Sequence, residues 1–230
     1  MYYQPEFETM PREKLEELQL ERLRHLVGYV YDRIPFYKES FDQAGVKPED
    51  IKSLEDLQKL PFTTKQDLRA AYPFKMFAVP QEEVARIHCS SGTTGTATVV
   101  GYTAKDLEVW GDCFARFLYA ADCGPSSVLQ VAYGYGLFTG GLGAHQGGER
   151  GGLTVLPMSS GNTKRQVRLM KDFNVDVLAC TPSYALNIAD VAIEEGFDPA
   201  NDFNIHAGIL GAEPCSEGMR AEIQNKLGIQ

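Results

Sequence analysis

The sequence predicts an α/β protein with a largely parallel sheet and flanking helices, preceded by an α-helical N-terminal segment. Three observations carry that expectation. Residues 1–80 are highly charged and their apolar positions recur at the helical period, whereas beyond residue 81 short β-type runs alternate with amphipathic helices. Ser or Thr at the entry of several helical segments and Gly at their exits mark the borders between elements. Strand–helix units repeated in this way pair their strands in parallel, because each crossover helix brings the chain back to the same end of the sheet. The expected division is a helical entry segment, 1–80, and an α/β region, 81–230.

In the entry segment Leu15, Leu18, Leu23, Leu26, Val27 and Val30 form one stripe after Pro11, and Pro35 ends the helix. A second short helix from Phe36 closes at Gly45, and Ser53 caps a third that carries Leu54, Leu57 and Leu60 ahead of Pro61. Thr64-Lys65-Gln66-Asp67 has the spacing of a capping box, in which a carboxylate reaches back to the first turn. Residues 84–88 and 99–102 read as strands on either side of a polar stretch. Thr103-Ala104-Lys105-Asp106 is a second capping box, opening a helix whose apolar face carries Leu107, Trp110, Phe114, Phe117 and Leu118. Further strands are expected at 127–133, 153–156, 176–180 and 206–210. Helices are expected at 163–173, from Pro182 behind a Thr181 cap to a stop at Gly196, and from a Ser216 cap to Gly228. The aromatic and glycine stretch that follows Tyr133 is assigned no element.

A hydrophobic share of 43% with 23% charged residues is that of a soluble globular protein. Lys and Arg total 22 against 31 Asp and Glu, a net charge of −9 that argues against nucleic acid as a partner. An anionic substrate would then be held by local dipoles, a metal ion and a few placed cations. No apolar run approaches the roughly 18 residues of a membrane span, and the first residues lack the basic start and apolar core of a signal peptide, so the expected location is cytoplasmic. The five cysteines are odd in number, widely spaced and without a Cys-x-x-Cys pair, which suggests neither a disulfide framework nor a zinc site; most read as small buried hydrophobes. His25, His88, His145 and His206 have no metal-ligand spacing, and His88, just ahead of the polar stretch, is either structural or a hydrogen-bond partner of it.

The chemistry concentrates in Cys89-Ser90-Ser91-Gly92-Thr93-Thr94-Gly95-Thr96-Ala97-Thr98. Hydroxyls and glycines between two strands can turn many N–H and O–H donors toward one anion, as a polyphosphate requires. Ser90, Ser91, Thr93 and Thr94 are the candidate donors, with Gly92 and Gly95 admitting close backbone approach. The same composition also suits an ordinary polar turn. The P-loop pattern is absent, since Gly95 follows Gly92 too closely with no lysine behind it, and the dinucleotide fingerprint fails at Thr139 in Gly134-Tyr135-Gly136-Leu137-Phe138-Thr139. Lys65 is either a solvated surface lysine or a cation that reaches the polar stretch.

Five stretches together carry a resemblance. They are the polar stretch itself, Leu60-Pro61-Phe62-Thr63-Thr64-Lys65 with Asp67-Leu68-Arg69, Tyr133-Gly134-Tyr135-Gly136-Leu137-Phe138-Thr139-Gly140-Gly141, Cys180-Thr181-Pro182-Ser183-Tyr184, and Gly211-Ala212-Glu213-Pro214. In content and order they resemble the adenylate-forming enzymes, and within them the phenylacetate–coenzyme A ligases, over about the N-terminal half of such an enzyme. The resemblance implies part of an AMP-binding N-terminal domain that activates an aryl acid with ATP and Mg²⁺ and passes the acyl group to coenzyme A. It implies a nucleotide held by the polar stretch and by Gly211, Ala212, Glu213 and Pro214, with Glu213 accepting from the adenine amine or orienting its loop. It implies an acyl pocket at Tyr133, Tyr135, Gly136 and Phe138, and Lys65 as a candidate phosphate contact. Taken without its companions, the 211–214 turn also suits a plain strand-to-helix connection, and the aromatics also suit a core. One departure stands out: the family's Lys-Pro after the loop glycine is Thr96-Ala97 here, which leaves Lys65 or Lys105 as the substitute cation. The catalytic residues, the metal-binding acidic segment and a small C-terminal domain are expected in the other half. Partners implied are the acid, ATP and coenzyme A, with no nucleic acid and no membrane, and a homodimer is left open. A nucleotide- or acyl-binding fragment without turnover, and a scaffold domain, are the alternatives.

Overall fold

The computed structural model describes residues 1–90 and 95–229. The chain divides into two compact units, Gln4–Asp106 and Leu107–Gln230, the latter joined by Met1–Tyr3.

The first unit is helical with one β-hairpin. A short turn α1 (Pro5–Glu8) precedes the long helix α2 (Arg12–Arg33), which Pro35 ends and α3 (Pro35–Gln43) follows directly. Val27 of α2 packs with Phe41, Val46 and Ile51, all nearly inaccessible, and Leu23 and Val30 lie against them, so part of the helical stripe read from the sequence meets a core, whereas Leu26 of the same stripe is 56% exposed. The Ser53-capped segment is a 3-10 helix (Leu54–Lys59), and Thr64 caps α4 (Lys65–Ala70) with the expected reciprocal box. Strands β1 (Val84–Cys89) and β2 (Val99–Thr103) pair antiparallel, Cys89 opposite Val99. Composition groups this hairpin with the α/β region, but its strands pair with each other and it clusters with the helices. The reason is connection length: the short link at 90–98 can turn the chain back on itself, whereas a parallel pairing requires a crossover of a dozen or more residues.

The second unit is a three-layer sandwich. After α5 (Ala104–Ala120) come β3 (Val128–Val131), α6 (Thr139–Arg150), β4 (Thr154–Pro157), α7 (Thr163–Asp172), β5 (Val177–Cys180), α8 (Pro182–Glu194), α9 (Pro199–Asp202), β6 (Ala207–Leu210) and α10 (Glu217–Leu227). The sheet is parallel throughout in the order β4-β3-β5-β6. Because side chains alternate along a strand, Val177 and Ala179 join Leu118 of α5 and Ala144 of α6 on one face, while Leu178 and Cys180 join Val167, Ile188 and Ile223 of α7, α8 and α10 on the other. Near-continuous burial of β5 is what a central parallel strand requires.

Helix α6 is the element that the sequence pattern conceals. It holds five glycines in TGGLGAHQGGER, each of which costs about 1 kcal/mol against alanine in an isolated helix. Tertiary contact offsets that loss. A Cβ at Gly143 would stand 2.5 Å from the Trp110 ring, one at Gly147 would overlap Phe114, and one at Gly148 would stand 2.7 Å from Val155 and 2.8 Å from Leu129. The missing side chains let whole aromatic and aliphatic groups lie against the helix backbone, and each such group is worth about 1.5–3 kcal/mol when buried. Gly147→Ala, which forces a methyl into the Phe114 Cβ, is expected to destabilise the protein by about 1–3 kcal/mol in chemical denaturation; an unchanged midpoint would refute the close-packing account.

Candidate functional site

In a parallel sheet ligands bind beyond the carboxyl ends of the strands, at the point where successive connections leave in opposite directions. Here the chain passes from β3 to β4 on one side and then to β5 on the other, which puts that point between β3 and β5. Two cavities open there. The larger, about 560 Å³, lies among Phe114 and Phe117 of α5, Tyr133 and Gly134 after β3, the start of α6 at Phe138 to Gly141, and the end of β6 at Ile209 to Ala212. The smaller, about 350 Å³, shares Tyr133 and Gly134 and is otherwise lined by Ala132, Ser160, Thr181, Ser183, Tyr184 and Asn187. One is walled by rings and glycines, the other mostly by residues that carry hydroxyls.

Tyr133 is the shared wall. Its hydroxyl donates to the Ile209 carbonyl oxygen at 3.2 Å, spanning from the end of β3 across β5 to β6. Burial pushes its pKa up to about 12, so the hydroxyl remains a neutral donor. Gly134 is held close to α6, since a Cβ at Gly141 would stand 2.6 Å from the Gly134 carbonyl oxygen. A side chain on Gly141 would therefore part the turn from the helix.

The turn after β6 is built under strain. Ala212 has φ +70°, a left-handed conformation that costs an alanine roughly 1–2 kcal/mol, and such outliers persist where surrounding structure enforces them. Glu213 supplies part of that enforcement: its Oε1 accepts from the Ser183 backbone N–H at the start of α8. That carboxylate joins the β6 turn to a helix N-terminus that already has Pro182 at its first position and Thr181 accepting from the Tyr184 N–H. Hydrogen bonds from Ser183, side chain and backbone, hold the Glu213 pKa below the usual glutamate value. Beneath the turn after β4, buried Gln166 accepts from Gln130 at 3.0 Å and donates to the carbonyls of Ser159 and Gly161 at 2.9 and 2.8 Å, which sets the position of Ser160.

The residues expected from sequence distribute as follows. Tyr133, Phe138, Gly211 and Ala212 wall one cavity, with Glu213 and Pro214 on the adjoining turn. Tyr135 and Gly136 are not among its walls; Tyr135 instead packs on the core cluster of Leu129 and Ala144 and bonds His145. In the other unit, Ser90 closes the hairpin, its N–H donating to Thr98 O and its Oγ accepting from Thr98 N, both at 3.0 Å. Gly95 has φ +126°, open to glycine and strained for any side chain. Ser91, Gly92, Thr93 and Thr94 lie outside the described residues. Lys65 is the exposed first residue of α4. His88 is 2% accessible and meets the Tyr102 ring edge-on. Of the cysteines only Cys123 and Cys180 are buried, Cys89 being half-buried and Cys113 and Cys215 exposed. Burial pushes the Cys180 thiol up to about 12, which disqualifies it as a thiolate at the site. Phe114 and Phe117 were legible only as an apolar helix face; that Phe117 remains 54% exposed is what marks it as a cavity wall.

Solved structures identify the class that this architecture defines. A 2-hydroxyisobutyryl-CoA ligase in complex with 2-HIB-AMP and CoA matches with a TM-score of 0.92 at 31% identity, over 98% of this chain and 50% of that one. Its open conformation matches with a TM-score of 0.91 at 30% identity, over 98% and 54%. The second unit and its companion thus have the fold of an adenylate-forming CoA-ligase domain. By sequence the chain is a homologue of phenylacetate–coenzyme A ligases. It is 54% identical over 230 residues to that of Thermus thermophilus, covering 100% of this chain and 52% of the relative, and 50% identical over 222 residues to that of Escherichia coli K12, covering 96% and 51%. The chain spans about half the length of the curated relatives it matches. No protein-family model matches it. Among the described residues no helix is long and apolar enough to cross a membrane, and no three His, Cys, Asp or Glu side chains are grouped as metal ligands.

The Glu213 clasp has a pH signature. A carboxylate whose folded pKa is depressed stabilises the fold above its unfolded pKa, and that contribution disappears as the pH falls through the folded value. The stability advantage of the wild type over Glu213→Gln is therefore expected to be full at neutral pH and to shrink as the pH falls below about 4.5, read from denaturation midpoints at a series of pH values.

Proposed function

We propose that the full-length protein is an aryl-acid–coenzyme A ligase acting on phenylacetate. In the first step a carboxylate oxygen attacks the α-phosphorus of ATP, pyrophosphate leaves, and an acyl-adenylate forms. In the second the sulfur of coenzyme A attacks the acyl carbon, AMP leaves, and a thioester forms as the thiol proton passes to solvent or a base. The observation that carries the reading is the cavity at the sheet edge, walled by Phe117, Tyr133 and Phe138 with glycines between them. Rings on several sides suit a flat aryl group, and the glycines leave room for its edges.

The strained turn at 211–214 supports placement of the adenine against backbone, with Glu213 orienting that turn through Ser183 and not acting as a free acceptor. The hydroxyls and glycines at 90–95 would hold the phosphates, Lys65 or Lys105 supplying the cation that Thr96-Ala97 lacks, and Mg²⁺ would travel with the triphosphate as part of the substrate. The second cavity meets the first at Tyr133 and Gly134, which leaves room beside the aryl pocket for a second substrate group.

Phenylacetate-dependent ATP–pyrophosphate exchange tests adenylation, and coenzyme A consumption tests transfer. Removal of the Phe138 ring by Phe138→Ala is expected to raise the KM for phenylacetate about tenfold, the value of one lost aryl contact, and to leave the KM for ATP within about twofold. Binding of nucleotide with no acid-dependent exchange would replace the ligase reading with that of a binding module.

A further inference from the structure

Tyr135 stands between the two cavity walls Tyr133 and Phe138 in sequence, yet its side chain is committed elsewhere. The ring packs on the core cluster that includes Leu129, Val131 and Ala144. Its hydroxyl lies 3.1 Å from His145 Nδ1, with the imidazole edge-on to the phenol at 5.8 Å and 84°. The other imidazole nitrogen, Nε2, lies 3.0 Å from Glu149 Oε1, one turn further along α6. Burial, with the Glu149 charge adding to it, pushes the Tyr135 pKa up to about 12, so the phenol is neutral and can donate. With a neutral imidazole one assignment satisfies the whole chain: Tyr135 O–H donates to Nδ1, and Nε2–H donates to Glu149.

The turn that this chain anchors is soft by composition. Gly134 and Gly136 flank Tyr135, and a Cβ at Gly136 would meet nothing within 4 Å. Tyr133 is fixed by its own bond to Ile209, but Phe138 is 61% exposed and its place depends on where the turn delivers it. The Tyr135 backbone N–H also reaches Ser159 Oγ at 3.4 Å, so Tyr135 ties the turn both to α6 and to the loop after β4.

We propose that His145 is a positioning residue for the acyl pocket. Glu149 sets the imidazole tautomer, His145 holds the Tyr135 hydroxyl, and Tyr135 fixes the glycine-flanked turn so that Phe138 closes the cavity against Tyr133. None of these groups touches the reacting atoms. The inference rests on the ligase reading and assigns control of acid binding to residues outside the cavity wall.

The test is acid-dependent ATP–pyrophosphate exchange by the full-length wild type, Tyr135→Phe, His145→Ala, His145→Asn and the Tyr135→Phe/His145→Ala double variant. The Y135F and H145A proteins are expected to raise the KM for phenylacetate about five- to tenfold, the effect of one lost hydrogen bond, with the KM for ATP unchanged. H145N places an amide oxygen where Nδ1 accepts and should stay within about twofold of wild type. The double variant should be no worse than either single, because both remove the same bond. Should H145A fail to fold, Y135F against H145N carries the comparison. An unchanged acid KM in Y135F, a parallel rise in the ATP KM, or additive effects in the double variant would overturn the positioning role. A wild type without acid-dependent exchange overturns the ligase reading, and the positioning role with it.

Discussion

Close approach of backbone to aromatic rings along α6 is the constraint on which the rest of the sheet edge depends. Where Gly143 and Gly147 face Trp110 and Phe114, and Gly148 faces Leu129 and Val155, the helix axis comes nearer to α5 and to the sheet than any side chain would permit. That approach brings the first turn of α6, from Thr139 to Gly141, against the carbonyl of Gly134, and Phe114 and Phe117 wall the cavity beside it. The cavity is thus a product of missing side chains as much as of those present. Poor intrinsic helix propensity is accepted at this element because the alternative, a stronger helix held further away, would open the site.

Around that constraint the edge is fastened by side-chain hydrogen bonds that bridge elements distant in sequence. Tyr133 joins the end of β3 to β6, Glu213 joins the turn after β6 to the start of α8, and Gln166 joins α7 to the loop after β4 and to buried Gln130. Each bond is modest in isolation, about 0.5–1.5 kcal/mol when both partners are neutral. Their common effect is geometric: they hold turns that contain left-handed Ser159, Asn162 and Ala212, conformations that non-glycine residues adopt only under constraint. Strain gathered on loops at one end of a parallel sheet, with the rigid strands behind it, is the usual preparation for ligand binding.

Most helices were legible because their information is local. The Thr64 and Thr181 caps, the proline at the start of α8 and the left-handed Gly228 at the end of α10 act over three or four residues, and each stands where the sequence places it. Parallel strands were legible from their continuous apolar runs, with ends that differ by a residue or two: β3, β5 and β6 are trimmed and β4 is shifted by one residue. Helix α6 was not legible, because five glycines erase both propensity and periodicity, and the rings of α5 and aliphatic side chains of the sheet supply what they remove. The direction of Tyr135 was equally hidden: its neighbours in sequence are glycines, and its partner His145 lies ten residues on, within α6.

By itself the sequence determined most of the elements and their order, the parallel character of the sheet, and the stretches that resemble a nucleotide-activating enzyme, since caps, runs and motifs are properties of contiguous residues. Tertiary structure alone decided that the hairpin clusters with the helices, which aromatic residues wall the cavity and which brace it, and that Glu213 clasps a neighbouring helix. Those outcomes turn on distances between residues tens of positions apart, and such distances are set by which surfaces can approach closely enough to exclude water.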